Sequence, residues 1–515
     1  MKKEKNVILI ILDGWGLSKI KKGNAIYHAN TKNFDYFFSN YPSTRLFAHG
    51  KYVGLPDEQD GNSEAGHMNL GAGRIVLQDA VYILESIRDG TFFKNTAFLE
   101  AIKHVKKYKS KLHLMGLLTG KESPHAYPSH LYALLKLARQ KKIEKVFLHL
   151  FTDGRDSSPH GAIKFLRNLR KRLKSNEKIA SIVGRYYAMD RKKKWENIEK
   201  VYNLLLFGEG EKVKSPEEAV VRAYNRGLTD EFVPPCSIVG KEGNPIGLIE
   251  ENDAIIFFNL RSDRARELTK TFAQPDFNKM NPGSFKRKKV LTNIKFVAMT
   301  DFGPDLNVLT AFPSRDIVNT LPFALKGKKQ LYIAESEKYA HVTYFFNGGW
   351  ANPVAGEERI RVPSPDIAHY DEKPEMSAKE VTKIVIEKLN SKKYNFICVN
   401  YANPDMIGHT GNFKAGIKCC EIIDKLLGEV VKASLKNEFC VVVTADHGNI
   451  EEMINPETGE VDTKHSKNQV PFIIIDKELK RIKLKEKGCL GNVAPTILKI
   501  MGIKKPKDMK KRALF

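Results

Sequence analysis

The sequence lacks any apolar run long enough to cross a membrane. Its longest opening run, Val7 to Leu12, stops at Asp13, whereas a spanning helix needs about 20 residues and the core of a signal peptide roughly 7–15. The basic MKKEKN start is therefore not read as a targeting segment. Cysteine is scarce too: Cys236, Cys398, Cys419, Cys420, Cys440 and Cys489 form no C-x-x-C pair, and several lie in apolar, strand-like runs. That excludes a disulfide scaffold and points to reduced thiols in a cytoplasmic protein. Internal repeats and low-complexity segments are also missing. What is present is the balance of a folded protein, with 42% hydrophobic and 28% charged residues, which excludes disorder and collagen-like repeats. At about 150 residues per domain, the 515 residues allow roughly two to four domains and ample core.

The formal net charge of +25 could mark a nucleic acid, an anionic membrane surface or a polyanionic small substrate. Lysine runs such as Lys192-Lys193-Lys194 and Lys286-Arg287-Lys288-Lys289 lie in polar, surface-like contexts. No basic helix with interleaved aromatics appears, nor a zinc-finger or RNA-recognition signature. The charge is read as solvated lysine-rich surface, with no nucleic-acid partner and no membrane partner expected.

Strand-like runs alternate with helical ones. VILIIL (7–12), VFLHLF (146–151), IASIVG (179–184), AIIFFN (254–259), FICVNYA (396–402) and FCVVVTA (439–445) read as buried strands. Between them, 130–140, 162–173 and 415–432 carry helical periodicity. Short buried strands separated by helices predict an α/β protein built on parallel sheets. Asp13, Asp405 and Asp446 each closely follow an apolar strand, and ligands collect beyond the carboxyl ends of strands in such sheets. If the three acids share one site, the N-terminal strand joins the C-terminal half, and the middle of the chain is an inserted α/β domain. The expected domains are 1–78 with 312–515, and 79–311, with linkers near 77–80 and 301–314.

Several polar clusters carry chemistry, each with a blander reading beside it. D-G-W-G at Asp13 could simply be a strand-ending turn. N-P-D-M-I-G-H-T-G spaces Asp405 and His409 for one helical turn, which suits two metal ligands, although an irregular loop could also present them. Asp446 and His447 adjoin at a strand end, where metal ligation explains them better than packing does. His465, in T-K-H-S, reads alone as a surface or structural histidine. Together these residues suit Mn²⁺ or Zn²⁺ and are enough for two ions; two ions clamp the attacking and leaving oxygens of a displacement at phosphorus. Ser63, in the Gly-rich stretch 60–74, is a nucleophile candidate, although on local sequence it could merely cap a helix. In the middle of the chain, D-G-R-D, G-R-Y-Y-A-M-D-R and N-L-R-S-D-R place Arg155, Arg185, Arg191, Arg261 and Arg264, with Asp156, at strand ends. Guanidinium forks there fit a polyanion pocket better than scattered surface salt bridges.

In these motifs the sequence resembles the cofactor-independent (2,3-bisphosphoglycerate-independent) phosphoglycerate mutases of the alkaline phosphatase superfamily. The likeness runs from ILDGWG through GNSEAGHMNLGAGR, DGRD, GRYYAMDR, NLRSDRAR, AESEKYAHVTYFFNGG, VPSP, YANPDMIGHTG and TADHGN to TKHS. It implies an alkaline-phosphatase-like parallel-sheet domain with two Mn²⁺ ions and a mobile, inserted substrate domain. It also implies that Asp405, His409 and His465 ligate one ion, and Asp13, Ser63, Asp446 and His447 the other. Lys338 matches a lysine near the nucleophile, and His125, Arg155, Asp156, Arg185, Arg191, Arg261 and Arg264 match the substrate-binding set. One segment departs from the pattern. T-G-K-E-S-P-H-A-Y-P-S-H (119–130) keeps His125 and His130, but has Tyr127 and Ser129 where the family has a histidine and an aspartate.

The resemblance implies a monomeric isomerase of glycolysis and gluconeogenesis that interconverts 2- and 3-phosphoglycerate without bisphosphoglycerate. Ser63 would carry the phosphoryl group, Asp156 would shuttle a proton between substrate hydroxyls, and the cations would stabilise charge on the transferring group. A related metal-dependent phosphatase or phosphomutase is the alternative; it would share the metal ligands but not the arginine-rich middle.

Overall fold

The computed structural model describes residues 4–515, so the first three residues of the basic start lie outside it. The chain divides into two compact units: the described residues through Gln78 with Arg315–Phe515, and Asp79–Ser314. Strand Leu309–Phe312 pairs with Lys295–Thr300, which keeps residues up to Ser314 in the middle unit.

Each unit is α/β and is built on one eight-stranded sheet. In the discontinuous unit the order is Glu358–Val362, Gln330–Glu335, Phe396–Tyr401, Asn6–Leu12, Phe439–Thr444, Val470–Ile475, Ser43–Phe47, Gly488–Cys489. Asn6–Leu12 lies between the C-terminal strands Phe396–Tyr401 and Phe439–Thr444, parallel to both. Its apolar residues are fully buried on both faces, as expected where helices cover both sides of a parallel sheet. The sheet is not wholly parallel, contrary to expectation. Val470–Ile475 runs antiparallel to both neighbours, because 445–469 contains no helix to make the crossover a parallel return requires. Helix Phe413–Lys436 packs its buried stripe on this sheet. Its buried Asp424 accepts hydrogen bonds from the Asn33 and Phe34 amides at 3.1 and 2.7 Å. Those amides open helix Lys32–Asn40, whose own N-cap residue, Thr31, makes no side-chain capping bond to them.

The middle unit's sheet runs Leu309–Phe312, Lys295–Thr300, Ala254–Phe257, Leu112–Leu118, Val146–Thr152, Glu177–Gly184, Cys236–Ile238, Glu211–Val213. Only Cys236–Ile238 against Glu177–Gly184 is antiparallel. All six cysteines are free and buried. Among the described residues no helix is long and apolar enough to cross a membrane.

A buried polar chain crosses the middle sheet. Asp253 Oδ2 lies 3.0 Å from His113 Nε2, His113 Nδ1 lies 2.9 Å from His149 Nε2, and His149 Nδ1 lies 2.8 Å from Ser181 Oγ. Asp253 is an acceptor, so one consistent pattern has His113 donating to it, His149 donating to His113, and the serine hydroxyl donating to His149. Each ring then holds one proton. Burial lowers the pKa of both rings, with the neighbouring imidazole adding to the effect at His149. Burial also lowers His130, whose Nε2 meets the Ala80 carbonyl at 3.1 Å, to about 4.

Unfolded histidines take up protons near pH 6.5, whereas these rings do so only at lower pH in the fold. The unfolded chain therefore binds more protons, and stability falls as pH drops below 6.5, by about 1.4 kcal/mol per pH unit for each such group. For His130 the loss runs from about pH 6.5 down to about 4. Denaturant midpoints at pH 7.5, 6 and 5 measure this slope. His130→Phe is expected to reduce it by about one proton; an unchanged slope would contradict the assignment.

Candidate active site

The three central strands of the discontinuous unit release their carboxyl ends side by side. Leu12 pairs with Tyr401, and Ile11 with Thr444. Asp13 directly follows the first strand, Asp446 lies two residues beyond the third, and Asp405 sits on the short helix Asn403–Gly408 after the second. Gly14 makes this convergence possible. Its φ is +77°, and a Cβ there would stand 2.8 Å from the Asp405 Cα.

Helix Ser63–Ala72 brings the serine. Asn62, not Ser63, is the N-cap: its side chain accepts from the Ala65 amide. Ser63 is thus the first helical residue, and its hydroxyl is left for other partners. Ser63 Oγ lies 2.7 Å from Lys338 Nζ, 2.9 Å from His447 Nε2 and 3.3 Å from Asp13 Oδ1. The helix can approach this closely because residue 66 is glycine; a Cβ there would meet the Asp446 carbonyl oxygen at 2.7 Å.

Lys338 is buried rather than on the surface. Its ammonium lies 2.7 Å from Asp13 Oδ1 and 2.6 Å from Asp405 Oδ2. Burial by itself would favour the neutral amine, but Asp13, Asp405 and Asp446 outweigh it and raise the pKa above its usual range. Burial, together with Asp446, pushes Asp13 up to about 7. Asp405 and Asp446 are held low against their burial, chiefly by Lys338 and His447 respectively.

The structure brings His409, His447 and His465 to the same place. His409 Nε2 is 3.3 Å, and His465 Nε2 3.2 Å, from Asp405 Oδ1. Each Nδ1 faces a carbonyl: Thr463 at 2.7 Å, Gly448 at 3.3 Å and Gly61 at 2.7 Å for His409, His447 and His465. Carbonyls only accept, so Nδ1 carries the proton and each Nε2 turns toward the cluster, the tautomer arrangement of metal-ligating histidines. His409 and His465 bring these Nε2 atoms to 3.0 Å, where two bare lone pairs repel unless a proton or cation stands between them. Burial opposes a charge on His409, yet Asp405 raises its pKa. The buried Asp446 Oδ2 accepts no well-formed hydrogen bond.

Three buried carboxylates face one ammonium, with inward-turned imidazoles around them. These residues fit divalent cations, and Asp405, His447, His465 and Asp13, Asp446, His447 form two compact ligand groups. His447 belongs to both groups, and His409 sits at the exposed rim.

The middle unit gathers the second constellation at its own strand ends. Arg185 Nη1 lies 2.5 Å from Asp153 Oδ1 and 2.7 Å from Asp156 Oδ2. Ser123 Oγ donates to Asp156 at 2.8 Å, and Thr119 donates to Asp153. Arg185 is therefore buried and engaged, aligning Asp156. Arg264 Nη1 bonds the Met189 carbonyl at 3.0 Å; burial, then Arg185, Arg191 and Arg155, lowers its pKa. Arg155 and Arg191 are exposed, 3.6 Å from Glu231 and 3.1 Å from Asp263. His125 lies within this group: burial, then Arg185 and Arg261, pushes it down to about 3, and its buried Nδ1 has no partner. His130, the other histidine of the altered segment, is turned instead to the Ala80 carbonyl.

Sequence reasoning missed several residues here. Ser123, Thr119 and Asp153 orient the arginine site. In the other unit, Asn449 donates to Asp405 Oδ1 at 2.8 Å, Asn400 donates to Asp13 Oδ2 at 2.7 Å, and His67 is buried one helical turn beyond Ser63. Only His67 left a signal, its i, i+4 spacing from Ser63.

This fold and ligand set place the protein in a class. The family model of the Metalloenzyme superfamily matches residues 5–505. A 2,3-bisphosphoglycerate-independent phosphoglycerate mutase of Clostridium novyi (strain NT) is 46% identical, covering 99% of both chains. One from Acetivibrio thermocellus is 47% identical, covering 100% of this chain and 99% of its own. A crystal structure of Leishmania mexicana phosphoglycerate mutase at low cobalt concentration matches with a TM-score of 0.76 and 29% identity, over 100% of this chain and 99% of that one. The chain belongs to the 2,3-bisphosphoglycerate-independent phosphoglycerate mutase family of that superfamily.

Removing Lys338 tests the charge balance. Lys338→Met is expected to destabilise chelator-treated protein by about 3–5 kcal/mol, the cost of stranding buried carboxylates. Added Mn²⁺ should restore part of that. Thermal midpoints with and without the ion measure both effects.

Proposed function

We propose that the chain interconverts 2-phosphoglycerate and 3-phosphoglycerate through a phosphoserine on Ser63, at a site holding two divalent cations, read as Mn²⁺. The observation that carries this is the position of Ser63 Oγ, within 3.3 Å of Lys338, His447 and Asp13. Asp405, His409 and His465 would hold one ion, and Asp13, Ser63, Asp446 and His447 the other. When bound, the ions supply positive charge that favours serine ionisation and neutralises the phosphoryl oxygens.

The protein's own groups account for the rest. Ser63 Oγ attacks phosphorus, the bond to the substrate oxygen breaks, and glycerate is left with the phosphoryl group on the serine. The Lys338 ammonium offsets charge on the serine oxygen. Return of the phosphoryl group to the other glycerate hydroxyl completes the isomerisation, so no phosphate donor is consumed. Asp156, oriented by Arg185 and Ser123, moves the proton between the two hydroxyls. Arg155, Arg191, Arg261 and Arg264 supply guanidinium forks for the carboxylate and phosphate. His125, neutral across the working range, offers its unpartnered Nδ1 to substrate.

A coupled assay for 2-phosphoglycerate from 3-phosphoglycerate, with no bisphosphoglycerate added, tests the reading. Activity should vanish in chelator and return with Mn²⁺; indifference to effective metal removal would rule out the cation site. Ser63→Ala should abolish both turnover and acid-stable phosphorylation of the protein. His125→Ala should instead keep phosphorylation, lower turnover and raise the free phosphate released per 2-phosphoglycerate formed. Wild-type turnover and partition in that variant would remove His125 from the substrate set.

A further inference from the structure

We infer that His67, acting through Asn400, is a positioning residue that decides which oxygen of Asp13 faces the metal and nucleophile centre. His67 and Asn400 are completely buried, and neither belongs to the ligand or substrate sets above. His67 Nδ1 lies 2.9 Å from the Ser63 carbonyl oxygen. That oxygen can only accept, so Nδ1 carries a ring proton; an amide nitrogen can only donate, so Nε2, which faces Asn400 Nδ2, is bare. His67 Nε2 lies 3.0 Å from Asn400 Nδ2, and the amide must therefore be the donor. The same Nδ2 donates to Asp13 Oδ2 at 2.7 Å. Both amide hydrogens are used, one on the histidine and one on the carboxylate.

The chain of contacts has a directional consequence. Asp13 Oδ2 is occupied by Asn400, and Oδ1 is the oxygen left toward Ser63 Oγ, Lys338 Nζ and His447 Nε2, at 3.3, 2.7 and 3.5 Å. If Asn400 lost its histidine acceptor, one amide hydrogen would be left unpaired and the Asp13 contact alone would hold the side chain, leaving both groups free to turn about that bond. The Asn400 carbonyl oxygen has no hydrogen-bond partner, so only the two donor contacts hold the amide in its present sense. His67 Nδ1 also stands 3.2 Å from Asp446 Oδ2, which fixes the ring beside a second carboxylate of the same ligand group. One imidazole thus ties the backbone of the serine helix to the orientation of a carboxylate on a neighbouring strand. Such outer contacts commonly carry about 10–100-fold in metal affinity.

This inference rests on the two-cation reading, and the test separates the two. The full-length chain, stripped with chelator, is titrated with Mn²⁺ by calorimetry, and its thermal midpoint is recorded in chelator. His67→Phe keeps a buried ring but removes both polar contacts; it is expected to weaken Mn²⁺ binding about 10–100-fold and lower kcat with KM little changed. Asn400→Ala should do the same, and the double variant should lose no more than the worse single one, since both cut one chain. His67→Gln, whose amide oxygen can replace Nε2 as the acceptor, should recover most of the affinity, and it serves as the test if His67→Phe does not fold. Mn²⁺ affinity unchanged in all variants, with only the chelator midpoint lowered, would overturn the positioning role while leaving the cation reading intact. Failure of the unsubstituted chain to bind Mn²⁺ would overturn both.

Discussion

Three fully buried carboxylates, Asp13, Asp405 and Asp446, within reach of a single buried ammonium, set the terms for the rest of the discontinuous unit. Charge of one sign is costly to bury, so the surrounding chain is organised to offset it. Lys338 answers two of the acids directly, Gly14 and Asn449 turn backbone and side-chain donors toward Asp446 and Asp405, and the histidines turn their Nε2 atoms inward. The excess negative charge that remains suits a bound cation better than it suits a stabilising core. A fold optimised only for stability would replace such a cluster with apolar side chains.

The middle unit works with the opposite sign. Burial, and after it the crowding of its arginines, depresses Arg264 and His125, so this cluster suits an anion as the other suits a cation. Asp153 and Asp156 both pin Arg185. Arginine appears at these strand ends, while much of the lysine that produces the +25 charge stands on exposed surface. There it is hydrated or loosely paired, as Lys288 is with Glu209 and Lys393 with Glu358, and such pairs contribute little to stability.

Much of this was legible in the sequence. Strand runs such as VILIIL and FCVVVT announce themselves because a strand buried on both faces admits almost no polar residue. The positions of Asp13 and Asp446 follow from the same constraint, since the first acids after such runs mark where the strands leave the core. The i, i+4 spacing of Asp405 and His409 likewise needs only a helical turn. The antiparallel strand Val470–Ile475 was not legible, because its direction depends on what the preceding loop fails to contain rather than on any residue within the strand.

What the sequence determined by itself was therefore local: apolar runs, their ends, and the polar residues placed there by period and spacing. Tertiary structure alone decided contacts between segments tens to hundreds of residues apart. It buried Lys338 among carboxylates 325 and 67 residues away, gave the helix cap to Asn62 so that the Ser63 hydroxyl was released, and made His465 a neighbour of His409. It also set His67 and Asn400 against Asp13. No periodicity encodes these pairings, because a side chain's electrostatic environment is fixed by strand order and loop path, not by its neighbours in sequence.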